Sequence, residues 1–276
     1  MRLLFFLIII ILGCSCLNTF GQGDLLIFPK RIVFKDNDTK NNITLINSGK
    51  ETTTYSVSFT QRRMEENGSF TRILVPDKGQ LFADPHLRIY PRQVTLLPGE
   101  TQTVMIQKRR RRNMETGEYR SHLYFRSERD NSDISIKKKD SSNTFNIELI
   151  PIIGITIPVI FRSGDVSAIA KLSDFKIDKI QGEDPKITFT INRKGNISLY
   201  GDITIEYYPV KGKSIIIAKR RGVAIYTTIK KRYMSQKLSV LDGINLNEGT
   251  LKVKYTSPPG NKKQIVFTET ELTLTN

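Results

Sequence analysis

The sequence predicts an all-β protein made of two sandwiches in tandem. Short alternating runs of apolar and polar residues recur along the chain, while the 3.6-residue period of an amphipathic helix is almost absent. Turn signals separate these runs, among them Asp36-Asn37-Asp38, Asn47-Ser48-Gly49, Glu66-Asn67-Gly68, Pro98-Gly99 and Thr116-Gly117. One stretch, Phe145 to Arg162 (FNIELIPIIGITIPVIFR), is apolar at nearly every odd position, which marks a β-strand far longer than the usual five or six residues.

Taken in order, the chain opens with a secretory leader. Arg2 supplies the positive start and Leu3 to Leu12 the apolar run, too short to span a bilayer, so residues 1–21 are expected to direct export. Gly21 and Gly23 allow cleavage to a soluble product. Gly13-Cys14 allows the alternative, a lipoprotein with a lipid anchor at Cys14. Both cysteines, Cys14 and Cys16, lie in this leader, so the processed chain has no disulfide and must rest on burial. No later run is long enough for a membrane span.

Strands are expected at 25–28, 31–34, 42–47, 53–62, 87–90, 93–96, 101–108 and 117–127. A polar, charged loop from Ser127 to Asn143 then leads into the long strand, 145–161. In that strand Phe145, Ile147, Leu149, Ile153, Ile155, Ile157, Val159 and Phe161 face one way and Asn146, Glu148, Gly154, Thr156 and Pro158 the other. Gly154 and Pro158 argue against a central strand paired on both sides, since glycine weakens a ladder and proline has no N–H to give it. An apolar edge is an aggregation hazard unless a partner uses it.

Ser163-Gly164-Asp165 breaks the run and separates a first domain, 22–163, from a second, 164–276. Strands are expected in the second domain at 187–192, 198–208, 214–219, 222–229, 237–240, 251–255 and 264–274, with clear alternation in Ile203 to Tyr207 and Leu251 to Tyr255.

The chain carries 43 Lys and Arg against 27 Asp and Glu, a net charge of +16. Such a field attracts nucleic acid, anionic lipid or acidic protein, and export makes nucleic acid the poorest candidate. The densest cluster, Lys108 to Arg112, reads first as a solvated strand end. Nothing points to catalysis or to a cofactor. His86 and His122 are the only imidazoles and fit no metal pattern, and His122 is expected to alternate outward with Arg120 and Tyr124. Lys211-Gly212-Lys213-Ser214 lacks the upstream glycine of a phosphate loop, and Asp36-Asn37-Asp38 lacks the glycine and glutamate of a calcium loop.

Four stretches in order resemble the periplasmic pilus-assembly chaperones of the chaperone–usher (PapD-like) type. They are Pro29 to Phe34, Ile43 to Asn47, Leu97 to Glu100, and Ile157 to Arg162. The resemblance covers the first domain; the second fits only as a sandwich of suitable length. It implies two immunoglobulin-like domains in an L, periplasmic localisation, no enzyme activity, no cofactor, and a fimbrial or pilin-like subunit as partner, with an outer-membrane usher beyond it.

The resemblance further implies that the long strand is donated to a subunit lacking a strand of its own, with Phe145, Ile147, Leu149, Ile153 and Ile155 as donor candidates. An arginine and a lysine of such chaperones grip the subunit's terminal carboxylate. Arg31 matches the arginine, but the lysine position falls on Pro158, which leaves Arg162 or a second-domain lysine as the substitute. The alternative from another class is a structural or adhesive envelope protein, membrane-anchored through Cys14, with no client.

Overall fold

The structure, a computed structural model, describes residues 25–35, 37–109, 114–128, 154–179, 184–239, 244–260 and 263–274. The expected leader, most of the polar loop and the donor candidates Phe145, Ile147, Leu149 and Ile153 lie outside these residues.

The first sandwich comprises β1 (Leu25–Phe28), β2 (Ile32–Val33), β3 (Lys40–Asn47), β4 (Thr53–Met64), β5 (Phe70–Ile73), β6 (Leu87–Tyr90), β7 (Gln93–Leu96), β8 (Thr101–Lys108), β9 (Gly117–Glu128) and β10 (Gly154–Ser163). One sheet has the order β1-β3-β8-β6, and the facing sheet has the order β2-β10-β9-β4-β5, with β7 also on β4. Relabelled by letter these are A-B-E-D against A′-G-F-C-C′, the immunoglobulin arrangement. Alternate residues of both sheets, including Ile43, Leu45, Val104, Ile106, Leu123, Phe125, Val159 and Phe161, meet in one core.

The second sandwich comprises β11 (Ala168–Asp178), β12 (Lys186–Gly195), β13 (Leu199–Tyr208), β14 (Ile215–Ile225), β15 (Lys231–Lys237), β16 (Thr250–Thr256) and β17 (Val266–Thr273). Its sheets run β11-β12-β15 and β14-β13-β16-β17, around a core that includes Ile187, Ile191, Ile205, Val253 and Tyr255.

Several elements depart from the sequence expectation. A strand expected at 237–240 is instead β15, seven residues that end there, and the runs 214–219 and 222–229 merge into β14, with register shifts in its pairing to β13. Alternation hides β15 because its inward position Arg232 is an arginine, buried and donating to the Ala224 carbonyl. Neither β5 nor β11 was expected. Both are largely exposed or half-buried, so neither shows a clean apolar face.

The β4–β5 hairpin crosses from the first sandwich to the second. Met64, at its end, is 1% exposed and sits in the second core, not the first. The turn beyond it lies on the edge strand β15, where the Tyr233 N–H donates to the Glu66 carbonyl at 2.8 Å. Gly68 has φ +85°, and the Arg232 guanidinium occupies the space a side chain there would need. Met64→Ala should therefore cost about 2–5 kcal/mol by opening a cavity in the second core. Chemical denaturation followed by tyrosine fluorescence checks this, and an unchanged midpoint would contradict the packing described.

Candidate functional site

On β9 the odd positions fill the core, so Glu118, Arg120, His122 and Tyr124 share the opposite face. In a lone sandwich that face would meet water. Here the second sandwich covers most of it, and Glu118, Arg120 and His122 are each 4% exposed. The expectation that His122 alternates outward with Arg120 is right about the face and wrong about solvent.

Glu118 is the acid at the centre of this interface. One carboxylate oxygen pairs with the Arg120 guanidinium. The other accepts from Ser198, through its N–H at 3.1 Å and its hydroxyl at 2.9 Å, and from Arg162 at 3.3 Å. Burial alone would raise the Glu118 pKa, but Arg120, Ser198 and Arg162 hold it down to about 2. Arg120 also donates to the Ser198 hydroxyl at 2.6 Å, and its guanidinium carbon lies 3.5 Å from the centre of the Tyr226 ring.

The Tyr226 hydroxyl lies 3.0 Å from His122 Nε2, and Phe70 packs against both rings. Burial, then the charges of Arg120, Arg62 and Arg31, depress the His122 pKa to about 3, so its imidazole is neutral.

The sequence-predicted anchors behave differently from each other. Arg162 is half-buried and committed to Glu118. Arg31 is half-buried, and its guanidinium lies 4.4 Å from the centre of the Tyr200 ring of the second sandwich. Among the described residues no carboxylate forms an ion pair with Arg31. Desolvation and the neighbouring Arg120 lower its pKa to about 10.

Beside Arg31 runs β10. It pairs with β9 along its whole length, but on the other flank β2 covers only Val159 and Ile160, through the parallel partners Ile32 and Val33. The Phe34 N–H donates to the Ile160 carbonyl at 2.8 Å, so the backbone groups of even residues point away from β9. Pro158 is even, and its missing N–H removes nothing from the β9 ladder. Among the described residues, Gly154 and Thr156 therefore turn their N–H and C=O groups to a flank that no strand occupies. Gly154 also lets the Tyr124 ring lie against the start of the strand, in space a Cβ would fill. Ile155, the one described donor candidate, is half-buried and packs against its own core.

The sequence reading missed Glu118, Ser198, Tyr226 and Tyr200. Alternation places Glu118 on the right face, but nothing local to it signals the second sandwich that buries it. Among the described residues there is no group of three or more His, Cys, Asp or Glu side chains suited to a metal ion, and no helix long and apolar enough to cross a membrane.

Fold and site together define a two-domain immunoglobulin-like protein in which a half-buried arginine, Arg31, stands between the sandwiches beside a strand that is only partly covered on one flank among the described residues. No protein-family model and no curated protein matches the sequence. Among solved structures the chain is similar to the YadV chaperone, at 11% identity and a TM-score of 0.47 over 91% of this chain and 100% of that one. It is also similar to the class 5 fimbriae chaperone CfaA, at 15% identity and a TM-score of 0.40 over 91% and 99%. A third similarity is to a chain of a Salmonella enterica complex of the SafA pilin with the SafB chaperone, at 9% identity and a TM-score of 0.41 over 92% and 98%. At these TM-scores the similarities carry no functional conclusion.

Two of the shifted groups, His122 and Glu118, make stability depend on pH in windows that begin at different pH. A histidine whose folded pKa is depressed to about 3, from 6.5 when unfolded, binds its proton more readily in the unfolded chain. Stability is thus full above pH 6.5 and falls as pH drops toward 3. Glu118, depressed from 4.5 to about 2, adds a second loss that begins only near pH 4.5. Thermal melts should show the midpoint falling between pH 6.5 and 4.5 in the native chain and far less in His122→Gln. Equal slopes in the two would show that His122 is not the group responsible.

Proposed function

We propose that this protein is a non-enzymatic, exported chaperone that holds a fimbrial or pilin-like subunit by lending it the open flank of β10, with Arg31 anchoring the subunit's terminal carboxylate. The observation that carries the reading is the flank itself. β10 is covered by β2 only at Val159 and Ile160, so among the described residues no strand pairs with the backbone groups of Gly154 and Thr156 on that flank, next to a guanidinium with no acid partner among the described residues. A strand added there would close its own sheet through backbone hydrogen bonds and take its specificity from alternate side chains.

Because Ile155 already packs inward, the side chains to be lent are those expected before Gly154, namely Phe145, Ile147, Leu149 and Ile153. Each large apolar side chain buried in a client contributes roughly 1.5–3 kcal/mol before ordering costs. The client's own folding supplies the free energy, so no nucleotide is needed. Periplasmic location, an outer-membrane usher and the domain division at 163/164 belong to the same proposal.

Capture from an envelope extract tests it. The wild type should retain a subunit-like protein, whereas Ile147→Asp combined with Ile153→Asp should lose it. Thr156→Pro removes an N–H from the open flank alone, as Pro158 already does, and should weaken capture with little change in the melting midpoint. Retention by both variants equal to the wild type would refute the lending mechanism.

A further inference from the structure

The two ends of the second sandwich meet different surroundings. At one end Ser198 donates to Glu118, Tyr226 lies against Arg120, and Tyr200 lies against Arg31. β12 ends and β13 begins at that docked end, so the start of β12, the end of β13 and the turn from β13 into β14 lie at the far end. Hydrogen bonds tie the strands together there: the Ser239 N–H donates to the Ile217 carbonyl at 2.8 Å, and the Lys179 ammonium donates to the Leu246 carbonyl at 3.0 Å.

The turn at the far end, Tyr208 to Ile216 (YPVKGKSII), carries apolar side chains into solvent. Val210 is 71% exposed and Ile216 59%, and Tyr208 and Ile215 are exposed as well. Odd positions of β13 fill the second core, so Tyr208 lies on the outer face, and Ile216, opposite Glu206, is its diagonal neighbour. A single exposed apolar residue needs no explanation, but four in one turn mark an interaction site. The turn is also held in shape. Gly212 has φ +117°, a conformation that favours glycine, and the Ser214 hydroxyl donates to Glu206 at 2.7 Å.

The charges around this turn are uneven. Lys211 and Lys213 are exposed within it, and among the described residues neither has an acid partner. Lys186 and Lys237 stand opposite each other at the same end. The acids nearby are already engaged: Asp178 with Lys176 at 2.6 Å, Glu206 with Ser214 and Lys254, and Glu248 with Asn245, while Asp184 lies 4.0 Å from Lys237. Apolar side chains at a tip, a tyrosine beside them and lysines around them match the layers of a bilayer surface. The apolar groups reach the acyl boundary, the tyrosine ring sits at head-group level, and the ammonium groups extend to anionic head groups. A protein partner is the poorer match, because protein interfaces are depleted in lysine.

We propose that the turn from Tyr208 to Ile216 is a membrane-contacting tip that seats the far end of the second sandwich on a bilayer containing anionic lipid. It lies at the end of that sandwich opposite to Arg31, so it does not depend on the lending mechanism. The test uses the chain from residue 22 onward, the expected exported form, so that the apolar run Leu3 to Leu12 plays no part. This form should sediment with vesicles of phosphatidylglycerol and phosphatidylcholine, much less with phosphatidylcholine alone, and less as salt rises. Val210→Asp combined with Ile216→Asp should weaken binding on the order of tenfold or more. Lys211→Glu combined with Lys213→Glu should weaken it by roughly fivefold or more for each lysine.

A second measurement locates the contact. The chain has no tryptophan, so Val210→Trp places a single reporter at the tip, and Leu97→Trp places one at an exposed site on the first sandwich. Adding the anionic vesicles should shift the emission of Val210→Trp to the blue and leave that of Leu97→Trp unchanged. No binding to either kind of vesicle would overturn the proposal and leave the tip to a protein partner. Binding unchanged in the double aspartate variant, or without a blue shift in Val210→Trp, would overturn it in favour of diffuse adsorption of a basic chain.

Discussion

The buried carboxylate of Glu118 is the constraint from which the rest of the molecule follows. It sits between two sandwiches, accepting from Arg120 and Arg162 on its own sheet and from the Ser198 N–H and hydroxyl across the interface. An ion pair in such a place offsets its desolvation only when the remaining lone pairs are satisfied, and here both carboxylate oxygens are engaged. Loss of one partner would cost about 3–5 kcal/mol by leaving a buried charge uncompensated. Glu118 thus turns what would be the solvent face of β9 into an interior, and that interior sets where Tyr226, Tyr200 and Arg31 stand relative to one another.

The open flank and the face turned to the second sandwich share one cause. Along β10 the odd residues fill the first core, so the even residues lie on the opposite face and, by the geometry of an extended chain, aim their backbone groups away from β9. The side chains at Thr156, Pro158 and Arg162 and the peptide groups of Gly154 and Thr156, which no described strand pairs on this flank, therefore come together at one corner. β2 is too short to close it: it covers Val159 and Ile160 and stops, with Arg31 immediately before its first residue. Pro158 marks the boundary between the covered and uncovered parts, because it offers no N–H to a strand that approaches from that side.

Much of this was legible in the sequence. The strands of both cores announce themselves by alternation, as in Ile203 to Tyr207, and the departure at Pro158 is visible without coordinates. What alternation cannot tell is what covers a polar face. Glu118, Arg120 and His122 read as a wet surface because charged residues at every second position usually are one. Only a contact far along the chain, to Ser198 and Tyr226, reverses that. Arg232 hides β15 in the same way, since an inward arginine satisfied by a carbonyl breaks the apolar pattern that marks a strand. The donor candidates before Gly154 lie outside the described residues, and the sequence alone speaks for them.

The charges between the sandwiches are not all used in holding the protein together. Glu118 forms ion pairs with Arg120 and Arg162, and the sandwiches are further docked by Ser198, by Tyr226 and by Met64 in the second core. Arg31 adds no ion pair to that docking, and its lowered pKa, caused by burial and then by Arg120, means that its charge opposes burial there. An apolar side chain in its place would stack on Tyr200 without that cost. Under the proposed function a ligand of opposite charge would account for such a half-buried cation, because the burial that makes it costly in the free protein would strengthen binding of the anion. The same reasoning extends to the unpaired peptide groups of Gly154 and Thr156. Both features are unfavourable in isolation, and under the proposed function both would be relieved by one partner that brings a strand ending in a carboxylate.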